Sequence, residues 1–255
     1  MVQEKFDLSG RIALVNGASR GIGEAIALGL ADAGAHVICT SRKLESCQKV
    51  ADKIIANGGS AEAHICHAGD MASISTLLED IKSKHKKLDI LVNNGATNPY
   101  YGPSAETPEW AFDKTIDVNL KGPFYLCAGA VPLMREAGGG SIINVASINA
   151  IQPGQWQGIY SITKAALVSL SNSFAKEYAA EGIRCNSILP GFTDTQMTAV
   201  FKKDKETLDN LLKGNVPMNR MAQPDEMVGA VLYLASDASS YTTGSQITID
   251  GGYLL

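Results

Sequence analysis

The chain has 255 residues, 45% hydrophobic and 19% charged, which is enough to bury a sizeable core and ordinary for a globular protein. Its 22 basic and 26 acidic side chains leave a net charge of −4, and its most basic stretch, Lys82-Ser-Lys-His-Lys-Lys87, reads as the solvated end of a helix, which excludes nucleic acid as a partner. Five scattered cysteines without a C-x-x-C pair exclude a disulfide framework or a zinc ribbon, and no apolar stretch reaches the ~18 residues that cross a bilayer, so no membrane is expected. With no signal peptide ahead of the first strand and free thiols expected, the reading is a cytoplasmic protein.

Short apolar, β-branched runs alternate with longer helical patterns from one end to the other. The first run, 12–15, leads into Asn16-Gly17-Ala18-Ser19-Arg20-Gly21-Ile22-Gly23 and then a helical pattern. In this first strand–helix turn, glycines permit a tight bend and let a pyrophosphate approach the backbone at a helix N-terminus. The second strand, 36–40, ends in Cys39-Thr40-Ser41-Arg42-Lys43, with a helical stretch over 41–57. An NAD site wants an acid there for the ribose 2′-hydroxyl, and none comes before Glu45. An NADP site wants positive charge for the 2′-phosphate. Arg42 offers a planar fork, Ser41 a hydroxyl and Arg20 a second guanidinium, so the sequence predicts NADP(H) rather than NAD(H).

Further strands are expected at 63–66, 90–93, 141–145, 184–188 and 246–249, and helices at 73–87, 107–135, 158–180 and 224–234. Pro224 ahead of Asp225 and Glu226 suits a helix opening, since proline tolerates the first turn and carboxylates favour the positive end of the dipole. Most strand runs are hydrophobic throughout, as strands covered on both faces must be. The expectation is one domain over residues 1–255, a doubly wound α/β fold with a parallel sheet of seven strands.

Tyr160 and Lys164 stand four residues apart in the helical stretch 158–180, so both project from one face, and Ser147 lies thirteen residues before the tyrosine at the end of a strand. A neighbouring ammonium favours phenolate and is expected to pull the tyrosine below its ordinary pKa near about 10. Ligands in open α/β sheets bind outside the carboxyl ends of the strands, where Ser147 falls. Asn119 sits inside a helical pattern where asparagine has mediocre propensity, with a local kink as the alternative reading. Asp70 has a helix cap as its alternative. His64 and His67 flank Cys66 but point to opposite faces of a strand, so they are read as structural residues and no metal is assigned.

These residues together resemble a short-chain dehydrogenase/reductase of the single-domain Rossmann type. The matching stretches are 16–23, Asp70, Asn93-Asn94-Gly95-Ala96, Asn119, Ser147, Tyr160-x-x-x-Lys164, Pro190-Gly191 with Thr195, and Asp250-Gly251-Gly252. The loop 98–103, with Ser41-Arg42-Lys43, is similar to the NADPH-dependent carbonyl and retinal reductase branch. The resemblance implies an oxidoreductase in which Tyr160 is the general acid or base. Lys164 would lower its pKa and bind the nicotinamide ribose, Ser147 would polarise the substrate oxygen, and Asn119 would hold a relay water. It places Gly17, Ser19, Gly21, Ile22 and Gly23 along the pyrophosphate, Asp70 at the adenine, Asn93 and Gly95 near the adenosine ribose, Pro190, Gly191 and Thr193 by the carboxamide, and Thr195 beside the diphosphate. Arg20, Ser41 and Arg42 would surround the 2′-phosphate. Two positions depart from the pattern: Asn16 stands where threonine is usual, and Gly95-Ala96 replaces Ala-Gly.

The substrate is expected between 149–156 and a lid over about 192–213 carrying Phe192, Met197, Val200, Phe201, Leu208, Leu211 and Leu212. That apolar face suggests an aliphatic or aryl ketone or aldehyde of moderate size. Rivals within the same chemistry are a 3-oxoacyl thioester reductase and a polyol or steroid dehydrogenase, and from a different class a non-catalytic NADP(H) sensor. An enoyl reductase is disfavoured, since that branch resembles Y-x6-K and position 167 is Leu167. The resemblance also implies a homotetramer.

Overall fold

The strands fill as a parallel sheet requires, with side chains dividing between two covered faces. In β1 (Ile12–Asn16) Ala13 and Val15 enter one core and Leu14 the other; Cys39 and Ile38 divide the same way in β2 (His36–Ser41). The computed structural model describes residues 2–199 and 205–255, without the side chains of 205–207 and 211. With β3 (Ser60–Ile65), β4 (Ile90–Asn93), β5 (Gly140–Val145), β6 (Ile183–Pro190) and β7 (Gln246–Ile249), the strands form one sheet in the order β3-β2-β1-β4-β5-β6-β7. Every pairing is parallel. Helices α1 (Gly21–Asp32), α2 (Leu44–Ala56) and α8 (Val228–Ala235) cover one face. Helices α3 (Met71–His85), α5 (Gly122–Glu136) and α6 (Gly158–Tyr178) cover the other. The order reverses direction between β1 and β4, the switch point outside which α/β sheets bind ligands.

Several boundaries differ from the sequence reading, and the helix expected over 224–234 opens as a 3-10 turn, Pro224–Met227, ahead of α8. β3 begins at Ser60 rather than 63, because Ser60, Glu62 and His64 alternate with Ala61 and Ala63 along an edge strand instead of forming an apolar run. α2 begins at Leu44, since Ser41 completes β2. The long helix expected over 107–135 is α4 (Glu109–Ile116) and α5 joined by a π turn, Asp117–Lys121, with Asn119 at its middle. π turns within helices concentrate at functional sites. α7 (Lys205–Asn215) follows β6, and Val200, Phe201 and 202–204 lie outside the described residues.

All five cysteines are free and buried. Burial pushes Cys39 up to about 12 and Cys66 up to about 11, and holds the others high, so none is a thiolate at neutral pH. Among the described residues no helix is long and apolar enough to cross a membrane.

Candidate active site

The carboxyl ends of β1, β4, β5 and β6 meet over the switch point. β1 ends in the glycine turn, whose Gly17 and Ala18 N–H groups donate to the Thr40 carbonyl at 2.8 and 3.0 Å. Gly17 has a φ of +82°, and a Cβ there would lie 2.7 Å from the Gly95 backbone. At Gly23 a Cβ would stand 2.1 Å from the Gly17 carbonyl oxygen. The turn is therefore too tight for side chains, and it delivers its backbone to the N-terminus of α1. Asn94 clamps it, donating from Nδ2 to the Gly17 carbonyl at 2.9 Å. Thr195 closes the turn from the β6 side, its methyl 3.3 Å from where a Gly21 Cβ would be. Thr193 is buried, bridging to Ala222, and Gly191 donates to the Ile249 carbonyl at 2.9 Å. Pro190 is the last residue of β6.

Arg20 and Arg42 are exposed beside this turn, and neither is drawn into an ion pair with a described residue. Ser41 differs from expectation. Its hydroxyl donates to the Lys43 carbonyl at 3.1 Å and accepts from Lys43 N–H and the Cys47 thiol, so it is spent on the opening of α2. Asp70 caps α3, with Oδ1 accepting from Ala72 N–H at 2.9 Å and Ser73 N–H at 3.3 Å. Asn93 turns inward. Its Nδ2 donates to Asn144 Oδ1 at 2.8 Å, Asn144 donates to Ser171 at 2.8 Å, and Ser171 meets Ser187 at 2.7 Å, a polar chain through β4, β5, α6 and β6. The Asn93 side chain belongs to the core, while its backbone pairs in register with Asn16 at the end of β1. Asn16, buried beside Gly95, leaves its Nδ2 unpartnered.

On the β5 side, Ser147 leaves the strand in extended conformation and its Oγ accepts from Asn149 N–H at 3.1 Å. Tyr160 and Lys164 come off the first turns of α6, both buried. Lys164 donates to the Val145 carbonyl at 2.7 Å, and its Nζ lies 5.6 Å from the Tyr160 ring centroid. Asn119 joins the constellation through its side-chain amide. Its amide accepts from Thr97 N–H at 2.8 Å, donates back to Thr97 O at 2.9 Å, and donates to Thr163 Oγ1 at 3.2 Å. The π turn thus pins both the loop after β4 and the helix that carries Tyr160.

The expected acidification of Tyr160 is reversed in this structure. Burial pushes its phenol up to about 12, against a hydrogen bond with Ser147 that favours the charged form. Burial likewise brings Lys164 down to about 7. Both groups lack water, so each is driven toward its neutral form, and the ammonium is turned to the Val145 carbonyl. The geometry suits a phenol that gives a proton to a stronger base arriving beside it.

The wall opposite is formed by the loop 98–103 and the stretch from 149, both singled out in the sequence, together with Gln157, which was not. Asn98 Nδ2 and Asn149 Nδ2 both donate to Gln157 Oε1 at 3.3 Å, and Tyr101, its phenol pushed up by burial, shares a hydrogen bond with Asn98. Asn98 Oδ1 is buried without a partner. No motif spacing marks these amides as a set, because Asn98 comes from the loop after β4 while Asn149 and Gln157 come from the connection between β5 and α6. The apolar lid residues are placed differently from expectation: Phe192 and Leu208 pack on Leu212, Val216, Met221 and Tyr253 in a small core of their own.

The sequence from residue 17 to residue 254 matches the family model described as enoyl-(acyl carrier protein) reductase. Dehydrogenase/reductase SDR family member 4 of Oryctolagus cuniculus is 35% identical over 98% of this chain and 96% of its own length. A 2-dehydro-3-deoxy-D-gluconate 5-dehydrogenase of Pseudoalteromonas atlantica is 37% identical over 98% of both. Among solved structures, a gluconate 5-dehydrogenase from Burkholderia cenocepacia J2315, in complex with NADP and tartrate, superposes with a TM-score of 0.95 at 29% identity, covering 100% of this chain and 99% of that one. With a seven-stranded parallel sheet and matches that run its length, this chain belongs to the short-chain dehydrogenase/reductase family of oxidoreductases.

Proposed function

We propose that the protein is an NADP(H)-dependent oxidoreductase that moves a hydride between nicotinamide and a carbonyl or secondary alcohol. The observation that carries this reading is the convergence of Ser147, Tyr160, Lys164 and Asn119 beside a glycine turn that side chains would block. The residues fit the cofactor. The backbone of Gly17–Gly23 at the start of α1 suits a pyrophosphate, and the exposed Arg20 and Arg42 suit a 2′-phosphate. The solved relative with NADP bound supports the same choice. NADP(H), when bound, supplies or accepts the hydride.

The chain's own residues manage the proton. In reduction Tyr160 gives its hydroxyl proton to the oxygen as negative charge builds there, and in oxidation it takes the proton back. Ser147, bonded to the same phenol, aims a donor at that oxygen in the transition state. The charged form of Lys164, with Nζ 5.6 Å from the ring centroid, favours the phenolate left behind, against the burial that drives the lysine toward its neutral form. Asn119 acts by position, fixing Thr97 and Thr163 on either side of the cleft. The four-residue spacing of Tyr160 and Lys164 sets this chain apart from Y-x6-K enoyl reductases, whatever the description of the matching family model.

The wall of Asn98, Asn149 and Gln157 favours a hydroxyl-bearing oxo compound over the apolar ketone expected from the lid. Amides that face a site reward substrate hydroxyls and are left unpaired by hydrocarbon. Exposed Trp110, Phe112, Phe124, Tyr125 and Ile162 on α4, α5 and α6 fit the helical faces of a homotetramer. The decisive assay follows NADPH absorbance across a library of oxo compounds. Turnover is expected, with sugar-acid-like ketones above acetoacetyl-CoA and aryl ketones. No oxidation with any carbonyl, despite NADPH binding, would leave the sensor reading in its place.

A further inference from the structure

Three of the four histidines have no part in this chemistry, yet they gather on one glutamate at the far edge of the sheet. His36 opens β2, Glu62 and His64 share one face of β3, and His85 ends α3. The parallel register sets His36 beside Ser60 and Ile38 beside Glu62, so these side chains project to the same side as α3. His85 Nε2 lies 2.8 Å from Glu62 Oε1, and His64 Nε2 lies 3.2 Å from the same oxygen. The His36 and His85 rings stand 5.1 Å apart between centroids. The ligand atoms of His36, Glu62 and His85 all fall within 4.8 Å of one another.

His36 is the informative member. Its Nδ1 is held by Ser60 Oγ at 2.7 Å, while its Nε2 is buried without a hydrogen-bond partner, 3.8 Å from Glu62 Oε2. Either tautomer leaves an orphan, since a proton on Nε2 meets no acceptor within bonding range and a bare lone pair meets no donor. Buried nitrogens of this kind call for an explanation. A metal ion supplies one. An imidazole whose second nitrogen is fixed by a hydroxyl, carboxylate or carbonyl is how proteins orient a metal-bound histidine. Two imidazoles and a carboxylate form a zinc-type ligand set that leaves a fourth position for water, while His64 reaches only the Glu62 carboxylate, at 3.2 Å.

We propose that His36 Nε2, His85 Nε2 and the Glu62 carboxylate bind a divalent cation of the zinc class, with His64 at its edge. The ion would clamp β2, β3 and α3 together at the amino end of β2, away from the carboxyl ends where the glycine turn lies. Lys84 is the competing cation. It pairs with Glu62 Oε2, but its side chain is 61% exposed, so it swings into water as the ion enters. Asp80, 3.9 Å from His64 Nδ1 and half exposed, orients that ring from outside.

The test titrates ZnCl2 into tag-free, chelator-stripped protein by calorimetry, with melting followed by circular dichroism. One ion per chain is expected, with a Zn²⁺-dependent rise in Tm that EDTA reverses. His36→Ala with His85→Ala should abolish both. Ser60→Ala, which touches no ion, should weaken binding roughly 10- to 100-fold through the His36 ring. Co²⁺ in place of Zn²⁺ should give tetrahedral visible bands that are lost in Glu62→Gln. Should the double variant fail to fold, the Glu62→Gln bands and the EDTA-reversible Tm carry the same test. No uptake of Zn²⁺ by the wild type, or uptake that survives loss of both histidines, would overturn the site.

Discussion

The two sides of the switch point treat polarity in opposite ways. On the β1–β2 side, the surface offered to a ligand is backbone, kept bare by Gly17 and Gly23, with charge supplied by exposed Arg20 and Arg42. On the β4–β6 side, the polar groups are buried side chains tied to one another: Lys164 to Val145, Asn119 to Thr97 and Thr163, Asn93 to Asn144. On the proposed function, the first side would recognise a charged group from water and needs no desolvated chemistry. The other holds a phenol and an ammonium out of water, where their proton affinities are set by burial. Binding and chemistry are thus separable by mutation, and the variants below take them apart.

The largest effect belongs to Tyr160→Phe. The ring stays and packing is conserved, but no proton can reach the substrate oxygen. A fall in kcat of roughly 100- to 10,000-fold is expected, the range of general acid–base catalysis. NADPH affinity, read by fluorescence, should stay near wild type, because the glycine turn and the arginines are untouched. Equal loss in both measurements would merge the two sides and end the comparison.

Arg42→Ala breaks the other side. A charge-assisted contact is worth about 1.5–3 kcal/mol, so KM for NADPH should rise roughly 10- to 100-fold while kcat changes little. kcat/KM with NADH should be unchanged, since that cofactor offers Arg42 no phosphate. A parallel loss with both cofactors would mean that Arg42 merely supports the start of α2.

What the sequence disclosed follows the same division. The glycine turn, Ser147 and the Tyr160–Lys164 pair were legible because each depends on local geometry: a turn, a strand end, one helical face. The parallel sheet of seven strands followed from apolar runs that burial on both faces demands. The amide wall of Asn98, Asn149 and Gln157 was not, because its members meet only when the loop after β4 folds against the connection between β5 and α6. The His36–Glu62–His85 cluster escaped for the same reason, while the nearby pair His64 and His67 drew attention by spacing alone. The lid misled because an apolar face can satisfy itself; Phe192 lies edge-to-face with Tyr253 at 5.5 Å, a contact the sequence separates by sixty-one positions. The direction of the Tyr160 shift was missed because spacing reports a neighbour but not the loss of water around both groups.

The smallest expected effect is the most specific to the buried side. Lys164 has a folded pKa of about 7 against an ordinary 10.5, so between those values the unfolded chain binds the extra proton and stability rises with pH. The slope is at most about 1.4 kcal/mol per pH unit. Tyr160 acts oppositely and later. Raised to about 12 from 10, its contribution is present below pH 10 and is lost as pH climbs toward 12. The buried thiols, also raised, lower stability from about pH 9 upward in every variant alike. Urea melts of the wild type and Lys164→Met at pH 7, 8 and 9 isolate the ammonium, since the difference between the two proteins cancels the thiols and Tyr160. The methionine variant should be the more stable at pH 7, and its advantage should shrink with each step as the wild-type lysine sheds its proton. Parallel curves across that window would mean that the Val145 carbonyl fully replaces water for the ammonium, and that burial does not set the proton affinity of this site.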